Sequence, residues 1–459
     1  MQKIETAQAE LVQKMRQQNY PLPLLLANPT SSVLTFFWWD NFDCKKETIH
    51  GGIHTSHGIA FQEKSEGSKL REELAINIPS SSRKTISVIP HTLPKKVIKS
   101  HVEPSQFSST LASNISKKSF SMLFLWKLPR LAHSYGNQEI SRFVGWVILI
   151  CGSKNSSATI LTFLLPILNP ITEYSTVIES IYQSQKLANA SNMKYAHITT
   201  DAGAAAKFFH VLWNYPAEFK NVIIHLGDLH GFMEFFGIIG KIIQGSGFEE
   251  IIYQANLCTS GSLQGVLSGK HYNRSLLTNE CFSEAIERLF CQAYVNANTD
   301  SLSVAEESLQ NRADCQAYLQ GESFINYEKR YEEQKLICLD GQYGKTPQFW
   351  MKYVQLVDRQ HLLHYAINTN NFEERLQCWK DSIALCFSCN KQNYSRYGAY
   401  YCLQLENLEN THPGAKEELK VKGLSVCQNT ENIGQSIDGA GEQTFMKSSK
   451  TTGEIEFRH

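Results

Sequence analysis

The stretch YAHITTDAGAAAKFFHVLWNYPAEFKNVIIHLGDLHGFMEFFGIIGKII, residues 195–243, decides the fold class. Apolar, β-branched runs at 195–200 and 221–226 alternate with longer runs at 202–213 and 229–243, whose apolar residues recur at helical spacing. Short runs of the first kind predict buried strands, and the longer periodic runs predict helices. The stretch therefore predicts strand, helix, strand, helix, which is the alternation of an α/β domain.

The sequence on the N-terminal side of this stretch predicts the rest of a sheet. Residues 33–39 are apolar, β-branched and aromatic, and they lead directly into an acidic segment with Asp40 and Asp43. A second strand is expected at 57–62, joined to the first as a hairpin through the glycine pair at 51–52. Two further strands and one helix are expected at 143–151, 159–165 and 173–190. A hairpin followed by alternating strands and helices predicts a mixed α/β sheet with helices on its faces.

At 459 residues the chain exceeds what one hydrophobic core usually organises, so two lobes or one interrupted domain are expected. A Ser- and Lys-rich segment, basic from Arg83 to Lys118, predicts a flexible, disordered insertion, and local contact with phosphates is the alternative. Beyond residue 247 the pattern is mostly amphipathic and predicts a helical lobe. We expect six segments: a polar N-terminus at 1–30, the first core strands at 31–62, the basic insertion at 63–135, the rest of the core at 136–260, the helical lobe at 261–430 and a tail at 431–459.

The overall charge and the cysteine pattern exclude several classes of protein. Lys plus Arg and Asp plus Glu number 44 each, so the whole chain has no field that attracts nucleic acid or membranes. The 12 cysteines are scattered, without the dense spacing of a secreted disulfide scaffold, which indicates a reducing compartment. The polar N-terminus lacks the apolar core of a secretory signal, and no apolar run reaches the ~20 residues of a membrane helix. We therefore expect a nuclear or cytoplasmic protein that is neither secreted nor bound to a membrane.

A family resemblance comes from the order of residues across 195–243. Asp201 follows a strand, a helix comes next, Pro216 lies in the turn after it, and Asp228 and His230 follow the second strand. This order resembles Mutator-like and related DDE-type transposases, whose catalytic core has the RNase H-like fold. The resemblance implies metal-dependent phosphoryl transfer on DNA, with Mg²⁺ or Mn²⁺ held by carboxylates that include Asp201. Assembly into a homo-oligomer is left open.

Asp201 has a second expected role, because an aspartate directly before an alanine-rich helix is also an ordinary N-cap. The two roles are compatible.

The resemblance implies two more carboxylates. The first strand supplies Asp40 or Asp43, and Asp40 is preferred because it directly follows the apolar run. The third carboxylate is expected on a late helix, where Glu442 is the candidate. Glu284 and Glu287 are the alternatives, on a helix whose solvated face they are expected to line. The expected catalytic set is Asp40, Asp201 and Glu442, and the expected metal-binding set adds Asp43, Asp228 and His230.

Two other functions compete with this one. Residues 227–231, Gly-Asp-Leu-His-Gly after an apolar strand, also resemble the opening motif of metallophosphoesterases. The second Gly-Asp motif and the Asn-His pair of that family do not follow it. The other alternative is a transposon-derived protein retained for binding without catalysis. No Cys/His DNA-binding module precedes the core and the sequence stops soon after Glu442, so an inactive or fragmentary chain is expected under that alternative.

Two patterns that resemble zinc sites predict structural roles instead. Three histidines near the first hairpin have one cysteine, Cys44, close to them in sequence, so hydrogen bonds in the turn region are expected; they are His50, His54 and His57. Cys386 and Cys389 form a CxxC without a second spaced pair, which favours buried thiols packed between helices.

Overall fold

The fold is that of a computed structural model, in which the described residues are 33–44, 53–63, 112–132, 142–151, 158–164, 166–167, 169–295, 312–427 and 434–452. Strands β1 to β7 are Thr35–Cys44, Ile53–Glu63, Thr159–Phe163, Ala196–Thr200, Val222–Leu226, Ser425–Val426 and Gln435–Ser436. Helices α1 to α16 are Ala112–Ala132, Phe143–Cys151, Tyr174–Ala190, Ala202–Asn214, Asp228–Ile243, Phe248–Gln254, Ser260–Leu267, Tyr272–Phe290, Arg312–Gln320, Glu322–Leu339, Lys345–Asn368, Phe372–Ser388, Ala399–Glu406, Leu408–Thr411, Ala415–Lys422 and Ile437–Thr452. Short π-helical segments, Cys291–Val295 and Tyr394–Gly398, follow α8 and precede α13. Within the described ranges, no helix combines the length and apolarity needed to cross a bilayer.

Strands β1 to β5 form one mixed sheet in the order β3-β2-β1-β4-β5. Strand β2 is antiparallel to both β1 and β3, whereas β1, β4 and β5 are parallel to one another. The expected hairpin is confirmed, since Thr35 pairs with Gln62 and Cys44 with Ile53. Because β1, β4 and β5 run in one direction, their carboxyl ends lie at the same edge of the sheet, which is where open α/β sheets bind ligands.

Strand β1 lies in the middle of this sheet because both of its faces are apolar. Its four aromatic residues at 36–39 are at most 4% exposed. Gly58 lies opposite Trp39 on β2, and a β-carbon there would come within 2.8 Å of the indole ring, so the glycine makes room for this tryptophan. The indole Nε1 of Trp39 donates to Ser184 Oγ on α3 at 3.0 Å. These contacts fix β1 against β2 on one side and α3 on the other.

The chain divides into two compact units. The first comprises Met1–Ser105, Ser156–Leu229 and Arg396–His459 and contains the sheet, with α3 connecting β3 to β4 and α4 connecting β4 to β5. The second comprises Gln106–Asn155 and His230–Ser395, and its described elements are all helical. The helices from α13 onward belong to the first unit, although residues 261–430 were all expected in the helical lobe.

A buried ion network joins four helices of the second unit. Lys127 of α1 donates to Glu287 of α8 at 2.6 Å and also to Asp358 of α11. On α10, Tyr331 donates to Glu287 at 2.6 Å, and Lys335 Nζ lies 4.0 Å from Asp358. Burial raises the pKa of Asp358, but the charges of Lys127 and Lys335 outweigh it and hold that pKa below its ordinary value. Removal of one member would leave a buried charge unpaired, so the network fixes the four helices against one another.

Two expectations about elements are wrong. Phe143–Cys151 forms helix α2 rather than a strand. A short run that is apolar throughout has no periodicity to separate the two, and Phe143 packs in the helical unit, 5.6 Å from the Trp126 ring centroid. Ala112–Ala132, expected in the flexible insertion at 63–135, forms helix α1. Its apolar residues 122–126 are at most 6% exposed. The free energy gained by burying these side chains stabilises the segment, although serines and lysines lie nearby. Residues 64–111, which hold most of the basic segment, lie outside the described residues.

Candidate metal centre

Acidic residues lie where the parallel pairing of β1, β4 and β5 ends, although β1 itself continues past Asp40 to Cys44 in its pairing with β2. Trp38 of β1 pairs with Thr199 of β4, and Asp40 and Asp201 each come two residues later, so the same register leads to both. Asp228 comes two residues after the end of β5. Three of the acids expected to bind metal therefore belong to one edge of the sheet.

Helix α16 brings Glu442 to this edge from the other end of the chain. A carboxylate oxygen of Asp40, a carboxylate oxygen of Glu442 and a ring nitrogen of His230 all lie within 4.8 Å of one another. All three side chains are half-buried, so they are held in place yet reachable from solvent. Among the described residues, this is the group of acidic, histidine or cysteine side chains whose ligand atoms converge in this way.

His230 is carried by the first turn of α5. It is the third residue of this helix, directly after Asp228 and Leu229.

Asp201 caps helix α4. Its Oδ1 accepts a hydrogen bond from the amide of Ala204 at 2.6 Å, and its backbone is extended, as an N-cap requires. The N-cap role expected from the sequence is therefore confirmed. Asp201 is outside the group that Asp40, His230 and Glu442 form, although both aspartates come two residues after the pair of Trp38 and Thr199.

Two other acids were expected to bind metal, Asp228 after β5 and Asp43 on β1. Asp228 opens α5 and is 3% exposed, so its carboxylate is buried at a helix N-terminus, where the positive end of the helix dipole stabilises it. Asp43 lies on β1 opposite His54, and its side chain is outside the described residues. The other first-strand candidate, Asp40, lies beside Glu442.

The two alternatives for the third carboxylate are engaged elsewhere, in the second unit. Glu284 forms ion pairs with Arg130 at 3.2 Å and Arg288 at 2.7 Å. Glu287 is 1% exposed and belongs to the buried network with Lys127, so the expectation that it lines a solvated face is wrong. The burial of Glu287 could not be inferred from the helical pattern alone, because its partner Lys127 comes from α1, which lies in the segment expected to be flexible.

The patterns that resemble zinc sites have structural environments. His57 Nε2 lies 3.0 Å from Thr55 Oγ1, so the expected hydrogen bond is confirmed, although His57 lies within β2 rather than in a turn. Burial lowers the pKa of His57 to about 4. His50 and the side chain of His54 lie outside the described residues. Cys386 and Cys389 are buried free thiols, as expected, and burial raises the pKa of Cys386 to about 12. A thiol with so high a pKa is a poor metal ligand at neutral pH.

The donor set of Asp40, His230 and Glu442 fits a divalent cation. Carboxylate oxygens are the ligands that Mg²⁺ prefers, and Mn²⁺ also accepts imidazole nitrogen. Ligand atoms that share an ion at about 2.1 Å lie at most about 4.2 Å apart. A spacing within 4.8 Å therefore needs small side-chain adjustments only.

The fold and the site define a protein with a mixed α/β sheet, a helical unit and an acidic, histidine-containing group at the carboxyl edge of the parallel strands. Residues 144–458 match the family model described as Domain of unknown function (DUF8702), and the chain belongs to this family. No curated protein and no solved structure matches the chain.

Proposed function

We propose that this chain carries an RNase H-like, DDE-type core that hydrolyses DNA phosphodiester bonds with Mg²⁺ or Mn²⁺. Asp40 and Glu442 would hold the cation, with His230 as a third donor and Asp201 beside them at the same edge. Such a core would act on DNA in the nucleus, as in the transposases that the sequence resembles.

The observation that carries this proposal is the convergence of Asp40 and Glu442. These two acids lie near opposite ends of the described sequence, both within the first unit, and their carboxylate oxygens lie within 4.8 Å of each other. A divalent cation between two carboxylates at this spacing would attract both, because unit charges about 4 Å apart interact by several kcal/mol where solvent is partly excluded.

The arrangement of the sheet supports the RNase H-like assignment. A hairpin, β1 and β2, is followed by β3 and then by parallel strands β4 and β5 with a helix after each, the element order that the resemblance implies. A helical segment separates α5 from α16, and Glu442 lies on that late helix, where the resemblance expects the third carboxylate.

The chemistry that these residues would perform follows from their types. A divalent cation, when bound, would neutralise the charge that develops on a phosphodiester as water attacks it. Asp40 on β1 and Glu442 on α16 would orient it. His230 would add a nitrogen donor.

The test is strand nicking of supercoiled DNA by the purified full-length chain, with Mg²⁺ or Mn²⁺ and with a chelator. Asp40→Asn and Glu442→Gln keep the size of each side chain and remove its charge, and each is expected to lower the nicking rate by at least about 100-fold. The matched control is Glu417→Gln, an exposed acid on α15 of the same unit, which is expected to nick at the wild-type rate.

Binding of Mn²⁺ is the second readout, since it separates a metal site from a nuclease. Titration calorimetry is expected to show a site in the wild-type chain that Asp40→Asn and Glu442→Gln lose. Metal binding without nicking would favour the non-catalytic alternative, and wild-type Mn²⁺ affinity in both variants would remove the proposed centre.

A further inference from the structure

We infer that Asp438 is a positioning residue: its buried carboxylate locks the start of α16 onto the junction of β5 and α5, and so sets the rotation of α16 that directs Glu442 toward Asp40. The lock is a structural relationship within the first unit, and only its metal-binding readout rests on the proposed function.

The first observation is the position of the Asp438 carboxylate. Asp438 is 0% exposed, although it is the second residue of α16, where acids are normally solvated. Its Oδ1 accepts a hydrogen bond from the amide of Leu229 at 3.1 Å. Leu229 is the second residue of α5, so this amide belongs to the helix start that has no partner within its own helix. The carboxylate thus satisfies a free amide of one helix from the first turn of another.

The second observation is the space made for this carboxylate. A β-carbon added to Gly227 would come within 2.4 Å of Asp438 Oδ2. The absence of a side chain at Gly227, directly between β5 and α5, therefore lets the carboxylate reach the backbone there. Any larger residue would push α16 away from the edge of the sheet.

The third observation is helical spacing. Asp438 and Glu442 are four residues apart on α16, so they lie on the same face, one turn from each other. Gly441 lies on that face as well, and a β-carbon there would come within 2.5 Å of the Trp38 ring of β1. With Asp438 held at the junction of β5 and α5 and Gly441 packed on β1, the turn between them places Glu442 on the side of α16 that faces Asp40.

Asp438 is expected to fix the position of α16 as well as to stabilise the fold. A buried carboxylate at the N-terminal ends of two helices is stabilised by unpaired amides and by both helix dipoles. Its geometry is restrictive, because a carboxylate that loses such a partner is left buried and unsatisfied. Loss of Asp438 is therefore expected to free the rotation of α16 while leaving the rest of the sheet in place. Residues that orient metal ligands in this way commonly change metal affinity about 10- to 100-fold when they are removed.

The test compares Asp438→Ala, Asp438→Asn and the control Glu417→Ala in the full-length chain. Two readouts are needed: the Mn²⁺ affinity by titration calorimetry and the hydrogen-exchange protection of the peptide that contains Leu229. Asp438→Ala is expected to lose at least about tenfold in Mn²⁺ affinity and to exchange faster at Leu229. Asp438→Asn keeps an oxygen that can accept a hydrogen bond from the Leu229 amide, so it should retain part of the Mn²⁺ affinity and part of the exchange protection. Glu417→Ala should match the wild type in both.

A second variant covers the case in which Asp438→Ala fails to fold. Gly227→Ala leaves every acid unchanged and displaces the Asp438 carboxylate by steric contact alone. It should therefore lower the Mn²⁺ affinity, as Asp438→Ala does. If the wild type binds no Mn²⁺, the proposed function fails, and exchange at Leu229 alone then decides the lock. Wild-type protection of Leu229 in Asp438→Ala overturns the lock, and so does wild-type Mn²⁺ affinity in a chain that binds the ion.

Discussion

Gly441 of α16 lies against the indole of Trp38 in β1, so close that a β-carbon added to the glycine would come within 2.5 Å of the ring. Trp38 is 2% exposed and lies two residues before Asp40 on the same strand, and Glu442 directly follows Gly441. The contact therefore stands next to both members of the carboxylate pair. A change in this contact is expected to move the two acids relative to each other.

Gly441→Ala is predicted to weaken both the fold and the site. The added methyl group meets a rigid, buried ring, and overpacking of this kind typically costs about 1–3 kcal/mol of unfolding free energy. Urea denaturation should show the loss of stability, and Mn²⁺ titration should show a loss of affinity. Gly261→Ala on α7 is the control for the same change of residue, since a β-carbon there would meet no atom within 4 Å. Equal Mn²⁺ affinity in the two variants would contradict this role of Gly441.

Substitutions of Asp201 are predicted to distinguish its role as the N-cap of α4 from a role of its negative charge in the reaction. Asparagine caps helices about as well as aspartate, so Asp201→Asn should keep the bond to the Ala204 amide, whereas Asp201→Ala should lose about 1 kcal/mol of stability. If Asp201 also serves the metal-dependent reaction, both variants should nick DNA at least about 100-fold more slowly than the wild type. Thermal unfolding and nicking rates measure the two effects. If Asp201→Asn nicks DNA at the wild-type rate, Asp201 serves as a helix N-cap and has no part in the reaction.

The sheet could be predicted from the sequence because its strands are separated by turn residues and flanked by periodic helices. Residues 195–243 gave β4, α4, β5 and α5 to within two residues of their observed ends. Residues 143–151 were assigned to the wrong element, because an apolar run without polar residues fits a buried strand and a buried helix equally. Burial in the helical unit, which the local sequence does not encode, made it α2.

Two of the three acids of the expected catalytic set, Asp40 and Glu442, belong to the candidate site, whereas Asp201 lies outside it. An apolar run that leads into Asp40 and a late segment with Glu442 could each be inferred locally, but their convergence depends on how α16 returns to β1. That return is set by contacts of Gly227, Asp438 and Gly441 with residues far away in sequence. The sequence clue was the four-residue spacing of Asp438 and Glu442, which places both on one helical face.

Lys127→Met is predicted to destabilise the second unit strongly. Lys127 neutralises Glu287 and Asp358 inside the protein, and removal of one partner from a buried ion pair typically costs about 3–5 kcal/mol. Urea denaturation measures the effect, and Lys127→Met combined with Glu287→Gln should lose less than the two single changes together. Lys329→Met is the control, because its pair with Glu333 is exposed and should contribute little. Strict additivity in the double variant would show that the ion pair is not coupled.

Glu374→Gln is predicted to stabilise the second unit in a way that depends on pH. Burial raises the pKa of Glu374 from 4.5 to about 7, although the Ser119 hydroxyl, which donates to it at 2.5 Å, acts in the opposite direction. Between these two pH values the folded chain keeps a proton that the unfolded chain releases. The native state therefore loses stability as the pH rises from about 4.5 to about 7, by an amount on the order of 3 kcal/mol for a shift of this size.

Glutamine at this position is neutral at every pH and can still accept from Ser119, so the variant should avoid that loss. In urea denaturation, the stability of Glu374→Gln relative to the wild type is expected to be small at pH 4.5 and to increase toward pH 8. Other titrating groups are common to both chains and cancel in the difference. Glu322→Gln, which changes an exposed acid in the first turn of α10, is the matched control and should show no such trend. A stability difference for Glu374→Gln that is constant from pH 4.5 to pH 8 would mean that Glu374 has the same pKa in the folded and unfolded chains, and so would contradict the raised pKa.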